Sequence, residues 1–277
     1  MVEEQNVNVA FWKMHGAGND FILVDDRAGT FPCDDREWLA RTCARRTGVG
    51  CEGVILIRSS DSADFRMRFF NPDGSEVEMC GNGVRCVARL AHELGIAPQS
   101  MRIETAAGEV SADVAGERVS VGLTPPGDWR MDSALSAQGR QWRYSFVNTG
   151  VPHAVIEIGD LDACDVHGLG RALRHHPDFA PAGTNADFVQ VVDPQAIRIR
   201  TYERGVEAET LACGTGIVAG ALVAARLGRV RPPVSVTPAS GDRLTVEFSP
   251  TADGAEDVVL EGPAVHVFKG SLDCSSA

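Results

Sequence analysis

The sequence predicts a mixed α/β chain of two similar halves, each a sheet-rich unit built around one long helix. Three observations predict it. Many short, often alternating runs rich in β-branched residues are separated by turn residues. Two apolar helical runs are each opened by Cys-Gly-x-Gly, "MCGNGVRC" (79–86) and "ACGTGIVAG" (212–220). A fixed spacing relates the two: Cys80 and Cys213 differ by 213 − 80 = 133, and Gly95 and Gly228, which follow the two runs, differ by 228 − 95 = 133.

That offset organises the chain. It lays "GNDFILVDD" (18–26) on "VPHAVIEIG" (151–159), "GVGCEGVILI" (48–57) on "PAGTNADFVQ" (181–190) and "MRIETAAGEVSADV" (101–114) on "VSVTPASGDRLTVE" (234–247), with no gap needed. Strand signals in the first half are "NDFILVDD", "GVILIRSS", "FRMRFF", "RIETAAGEV" and "RVSVGL". In the second they are "RYSFVNTG", "HAVIEI", "DFVQVV", "IRIRTYE", "VSVTP", "LTVEF" and "VVLEG". "PDGS", "TPPGDW" and "PASGD" supply turns, and "LTPPGDW" (123–129) marks the boundary between halves. The expected division is 1–124, rejoined by a final strand over 264–277, and 125–263.

The helix after Cys80 carries Val84, Val87, Leu90, Ala91 and Leu94 on one stripe and stops near Gly95. The helix after Cys213, "IVAGALVAARLG", is apolar nearly all round, the mark of a buried helix, here inside a wrapped sheet. Both helices begin inside the molecule with a cysteine at the mouth.

Bulk properties narrow the chemistry. The chain has 277 residues, 44% of them hydrophobic, and a formal net charge of −12. An acidic balance argues against nucleic-acid and anionic-membrane partners. No apolar stretch is long enough to cross a bilayer, and the acidic opening lacks a signal-peptide core, so a cytoplasmic address is expected. Eight cysteines without a CxxC pair indicate neither a disulfide framework nor a structural zinc site.

A helix N-terminus leaves backbone N–H groups unpaired and carries partial positive charge. Glycines let a carboxylate approach it closely, and the same field is expected to lower a cysteine pKa from about 8.5 towards neutrality. Two such ends around one amino-acid carboxylate would stabilise the charge that develops as the Cα proton leaves. One cysteine, as thiolate, takes that proton; the other, as thiol, returns one to the opposite face. No cofactor is needed, neither pyridoxal phosphate nor metal. Either cysteine alone is as readily a small buried hydrophobe; the pair at a common offset favours function. The other six cysteines read as core or surface thiols, Cys86 lying too deep in its helix to share a substrate.

The chain resembles diaminopimelate epimerase over nearly its whole length. The resemblance rests on "FWKMHGAGNDFILVD" (11–25), "FFNPDGSEVEMCGNGVRC" (69–86), "GVPH" (150–153), "GTNADF" (183–188), "YERGVEAETLACGTG" (202–216) and "PAVHVFKG" (263–270). It implies two homologous domains, each a β-barrel-like sheet wrapped around a central helix, with the active site in the interdomain cleft. It implies an isomerase that converts LL-2,6-diaminopimelate to the meso form, in lysine and peptidoglycan precursor synthesis, and a homodimer.

By matching position, the resemblance makes Cys80 and Cys213 the acid/base pair. Gly81, Asn82, Gly214 and Thr215 hold the carboxylate at the reacting centre. Asn19, Asn71, Asn185, Glu203 and Arg204 contact the substrate, and His153 and Glu203 tune the thiols. Arg204 suits a distal carboxylate and Glu203 an ammonium. Read singly, Asn71 in "NPDG" is also a turn residue, Asn19 a closer of the "GAGND" turn and His153 a satisfied core histidine. Two departures bear on specificity: Val151 stands where many members have Asn, and Gly53 where some have Gln. They keep open a related cofactor-independent racemase with another side-chain preference. A further alternative uses the cysteine pair as a redox switch.

Overall fold

The structure, a computed structural model, describes residues 8–274. It is mixed α/β and mostly sheet. In chain order, the first unit comprises β1 (Asn8–Gly16), β2 (Asn19–Asp25), α1 (Arg36–Cys43), β3 (Val54–Arg58), β4 (Phe65–Phe70), β5 (Glu76–Val77), α2 (Gly81–Glu93), β6 (Ser100–Thr105), β7 (Gly108–Ala115) and β8 (Arg118–Gly122). The second comprises β9 (Gly127–Ala137), β10 (Arg140–Asn148), β11 (Pro152–Glu157), α3 (Val166–Arg174), β12 (Asn185–Asp193), β13 (Ala196–Glu203), β14 (Ala208–Thr210), α4 (Gly214–Arg226), β15 (Val234–Thr237), β16 (Leu244–Pro250) and β17 (Ala255–Pro263). The last strand, β18 (Val265–Asp273), returns to the first unit. By contacts the chain divides after Val121 and again before Pro263.

The two units share one strand order. In the first it is β18–β1–β2–β3–β4–β6–β7–β8. In the second it is β9–β10–β11–β12–β13–β15–β16–β17. The parallel pairings fall at the same places, β2/β3 and β4/β6 in one, β11/β12 and β13/β15 in the other. Even the register repeats. Ile22 faces Val54 and Val155 faces Asp187, so both partners move by 133 (155 − 22 and 187 − 54).

The offset is not gapless, however. Val54 faces Phe70, whereas Asp187 faces Thr201, and 201 − 70 = 131. The connection before β4 is two residues longer in the first unit, and the loop before Cys80 is correspondingly shorter. Hairpin connections absorb such changes cheaply, while the helix starts keep their alignment.

In each unit the sheet curves round one helix. α2 touches β1, β2 and β3 and also β7, near the other end of the strand order; α4 touches β10 to β13 and also β15 and β16. Val84, Val87 and Leu90 of α2 are fully buried, each contributing about 1.5–3 kcal/mol of apolar burial. Leu94 is not part of this stripe: it is the C-cap and 37% exposed, because the helix has ended there. Both helices stop alike. Gly95 (φ +69°) and Gly228 (φ +71°) take left-handed backbone, and Ile96 N–H bonds to Ala91 O as Arg229 N–H bonds to Ala224 O, each at 2.9 Å.

Strands β1, β5, β9 and β14 and helices α1 and α3 were not legible in the sequence. α1 and α3 are short helices, N-capped by Asp35 and Asp165, whose carboxylates each accept a backbone N–H at 2.9 Å. β9 begins inside the expected boundary segment, at Gly127. Among the described residues no helix is long and apolar enough to cross a membrane.

Candidate active site

Each cysteine of interest is the N-cap of the central helix in its unit. Cys80 precedes α2 and Cys213 precedes α4, both in extended backbone, and both helices are 13 residues long. The first intrahelical bonds are Val84 N–H to Cys80 O (2.8 Å) and Ile217 N–H to Cys213 O (2.9 Å). The N–H groups of the three preceding residues in each helix therefore lie outside the helical ladder and are directed at the cap. At Gly81 a Cβ would meet nothing within 4 Å, so the backbone there is open to a ligand. Gly83 and Gly216, one turn in, let the helix pack close. A Cβ would lie 2.8 Å from Ile55 Cδ1 at the first and 2.6 Å from Asp187 Oδ1 at the second.

Around Cys80 the partners are amides. Its thiol donates to Asn19 Oδ1 at 3.6 Å, and Asn82 Nδ2 donates to the same oxygen at 3.0 Å. Asn82 Oδ1 in turn accepts from the fully buried Arg85 at 2.8 Å. Asn19 sits at the start of β2, beside the left-handed Ala17 and Gly18. Asn19, Cys80, Gly81 and Asn82 are thus brought together. Asn71 instead closes its turn. Its side chain donates to Ser75 Oγ at 3.2 Å and its backbone brackets Gly74 and Ser75, as the "NPDG" turn reading expects.

Around Cys213 the partners are a hydroxyl, an imidazole and a carboxylate. Cys213 Sγ lies 3.5 Å from Thr215 Oγ1, which is 2.9 Å from His153 Nε2. His153 Nδ1 is 2.7 Å from Asp187 Oδ2, and both side chains are wholly buried. Asp187 also accepts from Thr201 Oγ1 at 2.7 Å. An ionised carboxylate accepts only, so Nδ1 carries the imidazole proton and Nε2 is left to accept from Thr215. Thr149 Oγ1 donates to Thr215 O at 3.0 Å and holds the helix start from the other side.

The expectation of a thiol pKa lowered by the helix end fails at Cys213. Burial pushes this thiol well above its ordinary value, and the charges of Glu203 and Asp187 push the same way. Thr215 and the Gly216 N–H oppose them without prevailing. Cys213 therefore rests as a thiol. Cys86, read as a core cysteine, is fully buried and pushed up to about 12 by burial. Cys43 and Cys51 touch at 3.4 Å.

Glu203 accepts from Thr210 Oγ1 at 2.8 Å. Asn185 is almost fully buried. Its Nδ2 donates to Pro152 O at 3.0 Å and its Oδ1 accepts from Arg204 N–H at 2.8 Å, so it ties β11 to the "YERG" turn. Arg204 donates to Ala182 O at 3.2 Å. At Gly53 a Cβ would lie 2.3 Å from the Phe69 ring and 2.7 Å from Phe70 O. The space that a longer residue would need there is filled.

Asp187 and Thr149 are absent from the sequence-derived set. Each reads as an ordinary strand or turn residue. Only the offset, which places Thr149 with Gly16 (149 − 16 = 133), hints at a shared position beside the helix start.

The sequence profile of the family described as diaminopimelate epimerase matches residues 11–126 and 145–267. The chain belongs to the diaminopimelate epimerase family. It is 44% identical over 274 residues to the diaminopimelate epimerase of Aquifex aeolicus (strain VF5), covering 95% of this chain and 97% of that one. To that of Chlorobaculum tepidum it is 44% identical over 263 residues, covering 94% and 99%. Solved structures share the fold at low identity. A phenazine biosynthesis protein of the PhzF family from Bacillus anthracis superposes with a TM-score of 0.77 at 17% identity, covering 96% of this chain and 99% of that one. A probable proline racemase from Agrobacterium radiobacter K84, with bound carbonate, gives 0.68 at 19%, covering 96% and 93%.

Proposed function

We propose that this chain epimerises LL-2,6-diaminopimelate to meso-diaminopimelate without a cofactor, with Cys80 and Cys213 as its two acid/base residues. Family membership supplies the reaction. The observation that carries the residue assignment is the equivalent seating of the two cysteines, each capping a 13-residue buried helix whose first N–H groups lie outside the helical ladder. A substrate carboxylate at those donors is held by N–H groups already aimed at it, and the negative charge that grows as Cα–H breaks meets them without rearrangement. The buried, neutral thiol of Cys213 suits the delivering role, and its link through Thr215 to His153 and Asp187 gives the proton a route for resetting. Gly81, Asn82, Gly214 and Thr215 hold the reacting carboxylate. Asn19, Asn185, Glu203 and Arg204 serve the rest of the substrate, the last two by charge and Asn185 by holding the Arg204 turn, while Asn71 shapes the turn before Cys80. The working protein is a cytoplasmic homodimer.

The test is isomerisation of LL-diaminopimelate in heavy water by wild type, Cys80→Ala and Cys213→Ala, beside lysine, histidine and proline. Wild type is expected to take up α-deuterium from LL-diaminopimelate alone. Each variant is expected to lose at least about a thousandfold in turnover. Turnover of proline or histidine in preference would replace this substrate; an active Cys213→Ala would remove the two-thiol mechanism.

A further inference from the structure

Glu52 lies in the repeat segment "GVGCEGVILI" (48–57) and has no role in the site described above. It lies between Cys51 and Gly53, just before β3, with its side chain 48% exposed. Its carboxylate accepts from Asn19 Nδ2 and pairs with Arg45 at 3.2 Å. Its backbone N–H bonds to Asp20 O at 2.8 Å, which fixes it beside the start of β2.

The bonds that leave Asn19 run in one direction only. Arg85 donates to Asn82 Oδ1, Asn82 Nδ2 donates to Asn19 Oδ1, and Asn19 Nδ2 donates to Glu52. A carboxamide has a donor end and an acceptor end, and its orientation follows from its neighbours. Here both termini are ionic: a guanidinium only donates and an ionised carboxylate only accepts. Neither amide can turn over without setting two like ends against each other. The Cys80 thiol joins this chain at Asn19 Oδ1.

We propose that Glu52 is a positioning residue for Cys80: by accepting from Asn19 it holds that amide with its oxygen towards the sulfur, and so raises the basicity of the Cys80 sulfur that takes the Cα proton. This rests on the assignment of Cys80 as an acid/base residue. A thiol that donates a hydrogen bond, with a carboxylate one amide away, is favoured in its neutral form. The repeat supplies a contrast. The counterpart of Glu52 is Asn185 (185 − 52 = 133) and that of Asn19 is Pro152 (152 − 19 = 133). Asn185 bonds the carbonyl of Pro152, so there the bridge between neighbouring strands ends on backbone and carries no orientation to Cys213. Burial and the Asp20 charge raise the Glu52 pKa from its ordinary value, against Asn19, Arg45 and Lys13.

The experiment uses the full chain. Wild type, Glu52→Gln, Glu52→Asp and Asn19→Ala are alkylated with iodoacetamide from roughly pH 6 to pH 10, and the Cys80 and Cys213 peptides are quantified separately by mass spectrometry. Glu52→Gln removes the charge and weakens the hold on the Asn19 amide. Its Cys80 midpoint is expected to fall by about one pH unit while that of Cys213 stays put. Asn19→Ala, which removes the acceptor itself, moves Cys80 the same way, and Glu52→Asp stays near wild type. In turnover of LL-diaminopimelate, Glu52→Gln lowers kcat about tenfold with KM changed less than about threefold. A Cys80 midpoint that does not fall, or an equal fall at both cysteines, overturns the proposal. If wild type does not turn over LL-diaminopimelate, the functional assignment fails, yet the alkylation profile still decides the role of Glu52.

Discussion

Asn82 and Thr215 occupy the same place in two equivalent helices (215 − 82 = 133), two residues beyond the cysteine, and their surroundings could hardly differ more. Asn82 is one amide in a chain stretched between Arg85 and Glu52. Thr215 is a hydroxyl between a thiol and an imidazole backed by a carboxylate. The partner at the preceding strand has diverged in step. Asp20 is turned to Lys13 and Arg45, while its counterpart His153 (153 − 20 = 133) faces the helix. A duplicated scaffold has kept its sheet register and helix caps and changed what stands behind each sulfur. One helix start fixes direction by ionic ends; the other is built from groups that exchange protons readily.

The most severe break in this contrast is Asp187→Asn. The amide can set its NH2 against Nδ1, which drives the imidazole proton to Nε2, so His153 loses the tautomer that accepts from Thr215. Turnover is expected to fall about a hundredfold, with about 2 kcal/mol less stability by urea unfolding. Activity within threefold of wild type would reduce the dyad to a structural role. Next come the paired glycines. Gly216→Ala drives a methyl against a buried carboxylate oxygen and should cost about 2 kcal/mol. Gly83→Ala meets the ends of the Ile55 and Met67 side chains and should cost less than about 1 kcal/mol, since both can turn aside. Equal losses in denaturation would show that the two helix starts are equally tight.

Thiol titration sharpens the comparison further. Because burial raises the Cys213 pKa, the folded chain keeps this proton at pH values where the unfolded chain, ionising near pH 8.5, releases it. Its contribution to stability is therefore complete below about pH 8.5 and is lost as pH rises from there. Alkylation of Cys213 should still be accelerating above about pH 9, and a plateau below pH 8 would contradict the burial argument. The smallest expected effect is Thr149→Ala, about 1 kcal/mol for one hydrogen bond to Thr215 O. Calorimetry should resolve it with little change in KM.

Much of the fold could be read from spacing. The 133-residue offset follows from the sequence because the strands flanking each helix face the same packing demands, and the register Ile22–Val54 against Val155–Asp187 carries it into hydrogen bonding. The slip to 131 at β4 and β13 was hidden, since two extra residues in a hairpin connection leave no mark on a short alternating strand. The cysteines were legible as a pair. Asp187 was not, because its importance comes from the parallel pairing that sets β12 beside His153, and no local pattern reports a parallel neighbour. Glu52 escaped for the same reason. The thiol pKa was misjudged because the helix end is visible in sequence and the depth of burial is not. Asn71 shows the reverse case, where the turn chemistry of "NPDG" already accounts for what its amide does.

Gly53 has a consequence for how this lineage can change. Its missing side chain is matched by the Phe69 ring, which in turn meets Phe21 edge-on, so the vacancy and the ring form one packed unit. Substitution of the glycine alone collides with both that ring and a neighbouring carbonyl. A descendant acquiring a long residue here would need a smaller residue at 69 first, and a small shift of β4 as well.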